Sequence, residues 1–298
     1  GIRPNTAFLA DTGIEMFKGT ILTDAYGQTN IADIYAAGDC AMVHNAITGK
    51  PAWSPMGSTA NIAGRIIAQN IMGKGLTYRG VLGTAVCKLP EFNVGRTGLT
   101  EAQAKAEGFN PVSVVTVVDD KAHYYAGAST FTIKMIADRD TLKLLGVQVI
   151  GSGAIDKVID IAVTGIMMKA TLTDLADMDL AYAPPFSTAI HPFEHTLNVL
   201  MNKIQGDFET FTPAEYAAGE AEGYKVVDGC LKPSIEGAPY VELTEVNGPV
   251  EGLDPEEKLL LVCNKGKRAY LLQNRLKFYG YTDTKVLEAG ISFNDVEV

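Results

Sequence analysis

The apolar positions of this chain change texture three times along its length. Early on, Ile34-Tyr35-Ala36-Ala37 alternates large and small groups as a buried strand does, and it runs straight into Gly38-Asp39. Gly57 to Gly73 then carries Ile62, Ile66, Ile67 and Ile71 as a helical stripe, with Ser58 or Thr59 placed to cap its start and Gly73 its end. The N-terminus of that helix should point back toward Asp39. From about Leu82 the pattern becomes strand-rich. An extended segment leads to Thr100, which caps a short helix with Glu101 and Gln103 near its first turn. Val112 to Val118 is β-branched, and Phe131 to Ala137 and Leu142 to Ile150 read as strands of a hairpin turned at Asp138-Arg139-Asp140. Asp156 to Lys169 is helical, with Val158, Ile161, Ala162, Gly165 and Ile166 on or near one face.

A third texture begins beyond Gln205-Gly206-Asp207. Short strands, Lys225 to Asp228 and Tyr240 to Leu243, are separated by Gly and Pro turns. Lys258 to Val262 is an apolar run suited to a buried parallel strand, and a helix is predicted over Ala269 to Tyr279. The pattern as a whole predicts an α/β and α+β multidomain chain.

Candidate chemistry collects where these elements end. In a doubly wound sheet, ligands sit at the carboxyl ends of strands; Gly38 allows close approach there and Asp39 can accept hydrogen bonds from a polyol or ribose hydroxyl. The alternative is that Asp39 caps a turn. The N-terminus of the following helix offers free N–H groups, which bears on Ser58, Thr59 and Ala60. Cys263 falls between a buried strand and a helix N-terminus, with Gly266, Lys265, Lys267 and Arg268 beside it. Amides, helix dipole and cations all favour a thiolate, so a nucleophilic sulfur is the expected chemistry there. In Asp179 to Ser187 two adjacent prolines, Pro184 and Pro185, should hold the chain extended and present Tyr182 and Phe186. Tyr125, in the pair Tyr124-Tyr125, is a candidate for the same pocket or a strand end. His191 and His195 lie four apart, but their order is not that of a zinc helix; a first-turn position on a solvated helix is expected and no metal site is predicted.

Bulk properties narrow the classes. The 298 residues, 47% of them hydrophobic, can bury two or more cores. A net charge of -10 argues against a nucleic-acid or anionic-membrane surface. Four cysteines far apart, Cys40, Cys87, Cys230 and Cys263, form no C-x-x-C pair, which suits a reduced cytoplasmic setting. Cys40 and Cys87 read as small core residues. The chain opens Gly1-Ile2-Arg3-Pro4-Asn5 without a strand, so its first element reads as beginning within a domain.

The stretch TNIADIYAAGDCA resembles the second flavin-contacting motif of the FAD-dependent pyridine nucleotide-disulfide oxidoreductases, and GIRPNTAFLADTGIEM before it resembles the point where that family leaves its NAD(P)H domain and re-enters its FAD domain. FNVGRTGLTEAQAK, LLGVQVIG and DLAYAPPFS are similar to that family's dimerisation domain, in the proper order. The resemblance implies that residues 1–80 are the C-terminal segment of an FAD-binding domain and 81–205 an α+β dimerisation domain of a homodimer. It implies Gly38, Asp39, Ser58, Thr59, Ala60 and Phe186 as FAD contacts, Asp39 holding the ribityl chain. In the coenzyme A-disulfide reductase branch the proline loop enters the partner's active site, which makes Tyr182 a candidate acid. His191 stays open as an acid/base candidate, since relatives carry a His-Pro near their C-terminus.

The C-x-x-G-x-R loop at Cys263 and KVLEAGI after its helix resemble a rhodanese domain, here 206–298, with Cys263 accepting sulfane sulfur and Arg268 beside it. One departure is that Asp228-Gly229-Cys230 stands where rhodaneses have Asp-Val-Arg. The implied whole would pass hydride from NAD(P)H to FAD and reduce a disulfide, persulfide or polysulfide, with coenzyme A as a possible participant. No G-x-G-x-x-G follows a strand, so the dinucleotide fingerprints lie outside this sequence. An NADH oxidase, or a fragment that dimerises and binds sulfur, are the alternatives.

Overall fold

The computed structural model describes all residues, 1–298, as two compact units, Gly1–Ala85 and Val86–Val298. The boundary expected near 205 falls inside the second unit.

The first unit is built from short ribbons and one helix. Strands β1 (Met16–Phe17) and β2 (Thr20–Ile21) pair antiparallel around Lys18-Gly19, both at positive φ, the geometry of a tight hairpin turn. Strands β3 (Met42–His44) and β4 (Pro51–Trp53) form a second ribbon that leads into helix α1 (Gly57–Ile71). The strand expected at Ile34 to Ala37 does not form. Asp33 turns the chain at φ 63°, so Thr29 N–H bonds to the Ile34 carbonyl (2.8 Å) and Ala36 N–H to that of Gly27 (3.1 Å). Those groups are used in a local fold-back, and only a bridge from Tyr35 to Gln28 remains.

Two expectations for α1 are corrected as well. Its N-cap is Met56, in extended backbone and without a side-chain bond; Ser58 and Thr59 sit in the first turn, and the Thr59 hydroxyl pairs with that of Ser54 (2.8 Å). The inward face is Thr59, Ala63, Ile66 and Ile67, while Ile62 and Ile71 are exposed. The face is set by Asn70, which donates to the Tyr26 and Leu76 carbonyls, and by Gly27, whose backbone passes against Ile67. Gly73, at φ 78°, ends the helix as expected.

The second unit holds two sheets. The first has the order β5 (Ala85–Lys88), β6 (Asn93–Gly98), β9 (Leu144–Gly151), β8 (Thr130–Asp138), β7 (Pro111–Asp119), with β6, β9, β8 and β7 antiparallel. The predicted strands and the hairpin at 138–140 are present. Helix α2 (Glu101–Ala106) starts with the expected capping box of Thr100 and Gln103, and α3 (Ile155–Met167) packs on β6 and β9. After α4 (Leu172–Ala176) and the proline loop, α5 (Pro192–Gln205) packs on β7 and β8. His191 is the buried N-cap of α5, so the solvated first turn is corrected: its Nδ1 accepts the Phe193 N–H (3.1 Å).

The second sheet is parallel, in the order β10 (Thr210–Phe211), β13 (Thr284–Leu287), β12 (Leu259–Val262), β11 (Lys225–Asp228). Every residue of β12 is buried, as a central parallel strand requires. Helix α6 (Pro213–Ala217) follows β10, and α7 (Lys267–Phe278) follows β12. The strand expected at Tyr240 to Leu243 reduces to one bridge, Asp228 to Tyr240. Glu242 there caps a 3-10 turn, Leu243–Glu245, through its side chain. No helix is long and apolar enough to cross a membrane.

Candidate functional site

Two places concentrate unpaired or polarised groups, one in each unit. In the first unit Gly38 lies at φ 90°, with open space where a side chain would stand. Asp39 is exposed; its backbone carbonyl accepts the Trp53 indole N–H (2.8 Å), and its carboxylate is left free. That indole bond ties the Gly38-Asp39 turn to the segment that enters α1. Because Met56 supplies no cap, the N–H groups of Gly57, Ser58 and Thr59 form an uncapped, positively polarised end. Ala60 N–H is already bonded to the Met56 carbonyl (3.0 Å). An open glycine, a free carboxylate and an uncapped helix end suit a cofactor that carries both a polyol and an electron-rich ring edge.

The second place is the strand-to-helix turn at Cys263. Its Sγ is buried at the end of β12 and accepts the N–H of Gly266 (3.2 Å) and of Ala269 (3.3 Å). Gly266 reaches this geometry at φ 91° as the N-cap of α7. Those donors are placed to hold negative charge on sulfur. The cations are arranged differently from the sequence reading. Lys265 Nζ is drawn away to Asp119 Oδ1 (2.7 Å) at the end of β7, and Arg268 bonds the Gly229 carbonyl (3.2 Å) and Glu242 Oε1 (2.9 Å). Glu242 is held down at about 2 by the Thr244 N–H, by Arg268 and by Tyr240. The amides, rather than free lysines, are therefore the groups that face the sulfur.

Cys230, which stands where the resemblance expects an arginine, is brought beside this turn. Gly229 N–H bonds to the Val262 carbonyl (2.7 Å), so Cys230 and Cys263 end neighbouring strands. Burial first, and then the Asp228 carboxylate, push the Cys230 thiol up to about 12. Burial works to raise Asp228 itself, but backbone N–H groups of Ser234, Cys230 and Ile235 hold it below the usual range. Cys230 is thus disfavoured from ionising, beside a sulfur that accepts two backbone N–H bonds.

The remaining candidates are dispersed. Tyr182 and Phe186 are exposed, and the prolines do not hold the loop extended: Ala183 accepts from Phe186 N–H (2.8 Å) and Ser187 N–H (3.1 Å), closing a turn over Pro184-Pro185. The φ that proline enforces suits a turn as well as an extended run. Tyr125 lies in the loop between β7 and β8, at a turn rather than a strand end. Cys87 is exposed on the edge strand β5 and Cys40 is half-buried, so neither is the core residue expected. His191 is depressed to about 4, by burial first and then by the charge of Lys157. No three His, Cys, Asp or Glu side chains converge as metal ligands.

Comparison with known proteins assigns the class. Residues 1–61 match the family described as pyridine nucleotide-disulphide oxidoreductase, and residues 84–192 match its dimerisation domain. The chain belongs to the pyridine nucleotide-disulphide oxidoreductase family. Among individual proteins it is similar to the NAD(P)H coenzyme A polysulfide/persulfide reductase of Pyrococcus horikoshii, 39% identical over 193 residues, 64% of this chain and 43% of that one. It is also similar to the NADH oxidase of Methanocaldococcus jannaschii, 34% identical over 207 residues, 68% of this chain and 46% of that one. The solved structure of an NAD-dependent persulfide reductase from A. fulgidus superposes with a TM-score of 0.90 at 32% identity, over 98% of this chain and 54% of that chain. The chain spans about half the length of these relatives.

Proposed function

We propose that this chain is a portion of an FAD-dependent NAD(P)H oxidoreductase acting on disulfides, persulfides or polysulfides, in the manner of coenzyme A-disulfide reductases, and that residues 206–298 are a rhodanese-like sulfur carrier. The observation that carries the sulfur chemistry is the Cys263 Sγ accepting two backbone N–H bonds at the start of α7. Gly38, Asp39 and the free amides of Gly57, Ser58 and Thr59 would hold FAD, which when bound supplies two-electron transfer between a nicotinamide and sulfur. Asp39 would orient the ribityl hydroxyls, and the α1 N-terminus would favour negative charge on the ring system.

At the second site the Cys263 thiolate attacks the outer sulfur of a persulfide R–S–SH. Its S–S bond breaks, R–S⁻ leaves, and Cys263 carries the sulfur as Cys–S–SH. The Gly266 and Ala269 amides hold the charge on the Cys263 sulfur before transfer, and R–S⁻ carries it away. Glu242 neutralises Arg268, which positions the Gly229 carbonyl rather than adding free charge. The matched dimerisation domain supports a homodimer, in which exposed Tyr182 and Phe186 would be offered to the partner.

The test is anaerobic treatment of the full chain with inorganic polysulfide, followed by peptide mass analysis. The peptide carrying Cys263 should gain one sulfur, about 32 Da, removable by dithiothreitol and absent from Cys263→Ser. Sulfur found on exposed Cys87 alone would contradict the proposal.

A further inference from the structure

A buried carboxylate that none of this chemistry uses lies just beyond β13. Glu288 is fully buried, and all its contacts reach other elements: Oε2 accepts the Val115 N–H of β7 (2.7 Å), while Oε1 accepts Lys203 Nζ from α5 (2.6 Å) and the Thr210 hydroxyl from β10 (2.7 Å). Lys203 also donates to the Ser113 carbonyl (2.9 Å), which ties the same ion pair to β7 a second time. An ion pair this deep is costly to desolvate, so an apolar pair would serve stability as well. Its bonds give a specific geometry instead.

What that geometry fixes is the back of the sulfur site. The residues directly after Glu288 form the wall against which the Cys263 turn rests: Ile291 N–H bonds to the Cys263 carbonyl (3.1 Å) and Ser292 N–H to the Asn264 carbonyl (2.9 Å). At Gly290 the chains approach so closely that a Cβ would overlap the Cys263 carbonyl oxygen. Ala289, at φ 63°, packs with Val115 and Val117 of β7. One side of segment 288–292 is thus held to the antiparallel sheet and the other holds the cysteine. Lys265, bonded to Asp119, is a second and more exposed tie to the same strand.

We infer that Glu288 is a positioning residue for Cys263: its carboxylate fixes segment 288–292 to β7 and α5, and that segment sets the backbone from which the Gly266 and Ala269 amides reach the sulfur. The inference rests on Cys263 being the sulfur-handling thiol. It makes the antiparallel sheet part of the sulfur site, so a change at α5 or β7 reaches Cys263 through Glu288.

The test uses the full chain and the variant Glu288→Gln. Glutamine keeps the size and an acceptor for Val115, but its NH₂ meets the Lys203 ammonium donor to donor. The rate of iodoacetamide alkylation is measured for each cysteine by peptide mass, from about pH 6 to 9. The charged and titratable groups around the Cys263 turn are Lys265 with Asp119, Arg268 with Glu242, Lys267, and Asp228 with Cys230 at the end of β11. Loss of amide positioning should slow Cys263 at neutral pH by roughly tenfold, with exposed Cys87 unchanged.

A purely electrostatic role gives the opposite sign, because the variant leaves Lys203 uncompensated and extra positive charge favours the thiolate. A purely structural role lowers the melting temperature and leaves the Cys263 profile in place. Unchanged or faster alkylation of Cys263 therefore overturns the inference. Should Glu288→Gln fail to fold, Thr210→Val removes one donor to the same carboxylate without changing any charge, and slower alkylation of Cys263 is again the expected sign. A wild-type Cys263 whose pH profile matches that of Cys87 overturns the sulfur-site reading and this inference together. A distinct wild-type profile that neither variant alters overturns this inference alone.

Discussion

Asp39 and Cys263 show how much a single side chain depends on the backbone beside it. Asp39 is anchored through its main chain by Trp53, which leaves the carboxylate free for a ligand. If that carboxylate holds the ribityl chain, Asp39→Ala in the flavin-bound protein should weaken FAD retention by about tenfold, the loss of one or two hydrogen bonds to an ion. Equal flavin release from variant and wild type would remove Asp39 from the site. Among the thiols, Cys263 should alkylate fastest, whereas Cys230, pushed up to about 12, should stay unmodified at pH 8 while the chain is folded. Modification of both at similar rates under native conditions would mean that the two environments do not differ as described.

The cysteine turn was legible in the sequence, because a buried apolar run, a cysteine, a glycine three residues on and a helix lie within one short segment. Glu288 was not legible. Its partners Val115, Lys203 and Thr210 are 173, 85 and 78 residues away in the chain, so only the fold brings them together.

At the scale of elements, the strands of the antiparallel sheet could be read because β-branched runs were bounded by turn residues. Ile34 to Ala37 had a strand's composition, but the fold-back at Asp33 takes up its backbone groups. The stripe on α1 was misassigned by counting isoleucines alone, when the buried face is set by Thr59, Ala63 and Asn70.

Capping boxes give direct tests. Thr100→Ala removes the acceptor of the Gln103 N–H (3.2 Å) and should cost about 1 kcal/mol, read as a lower urea midpoint. An unchanged midpoint would mean that α2 is held by packing alone.

The cap of α5 adds a pH dependence. His191 is depressed from its ordinary 6.5 to about 4, so the folded state binds fewer protons than the unfolded one between those values. The contribution is complete above pH 6.5 and is lost as pH falls through about 4. His191→Asn, which keeps a capping side chain, should lose less stability than the wild type over that interval; parallel losses would remove His191 as their source. Glu101 acts lower in the range. Burial opposes its ionisation, but hydrogen bonds from Lys134 and Ser113 and the charges of Lys134 and Lys105 prevail and hold it at about 2. Its share is present above pH 4.5 and is lost as pH falls toward 2.

For the whole molecule, the family and its dimerisation domain were readable from ordered motifs. The joining of residues 206–298 to the antiparallel sheet in one unit was not, because it depends on Glu288, Ala289 and Lys265 meeting β7. The same relatives include a persulfide reductase and an NADH oxidase, which share the matched regions and differ in the acceptor named. The acceptor is therefore the question that decides the account. The most direct measurement is NAD(P)H oxidation by the whole flavoprotein to which this chain is proposed to belong, compared between anaerobic polysulfide or coenzyme A persulfide and air alone. The account expects anaerobic consumption of NAD(P)H in step with hydrosulfide release, lowered by Cys263→Ser when polysulfide is the donor. Consumption that occurs only with oxygen, with no hydrosulfide formed, would contradict it.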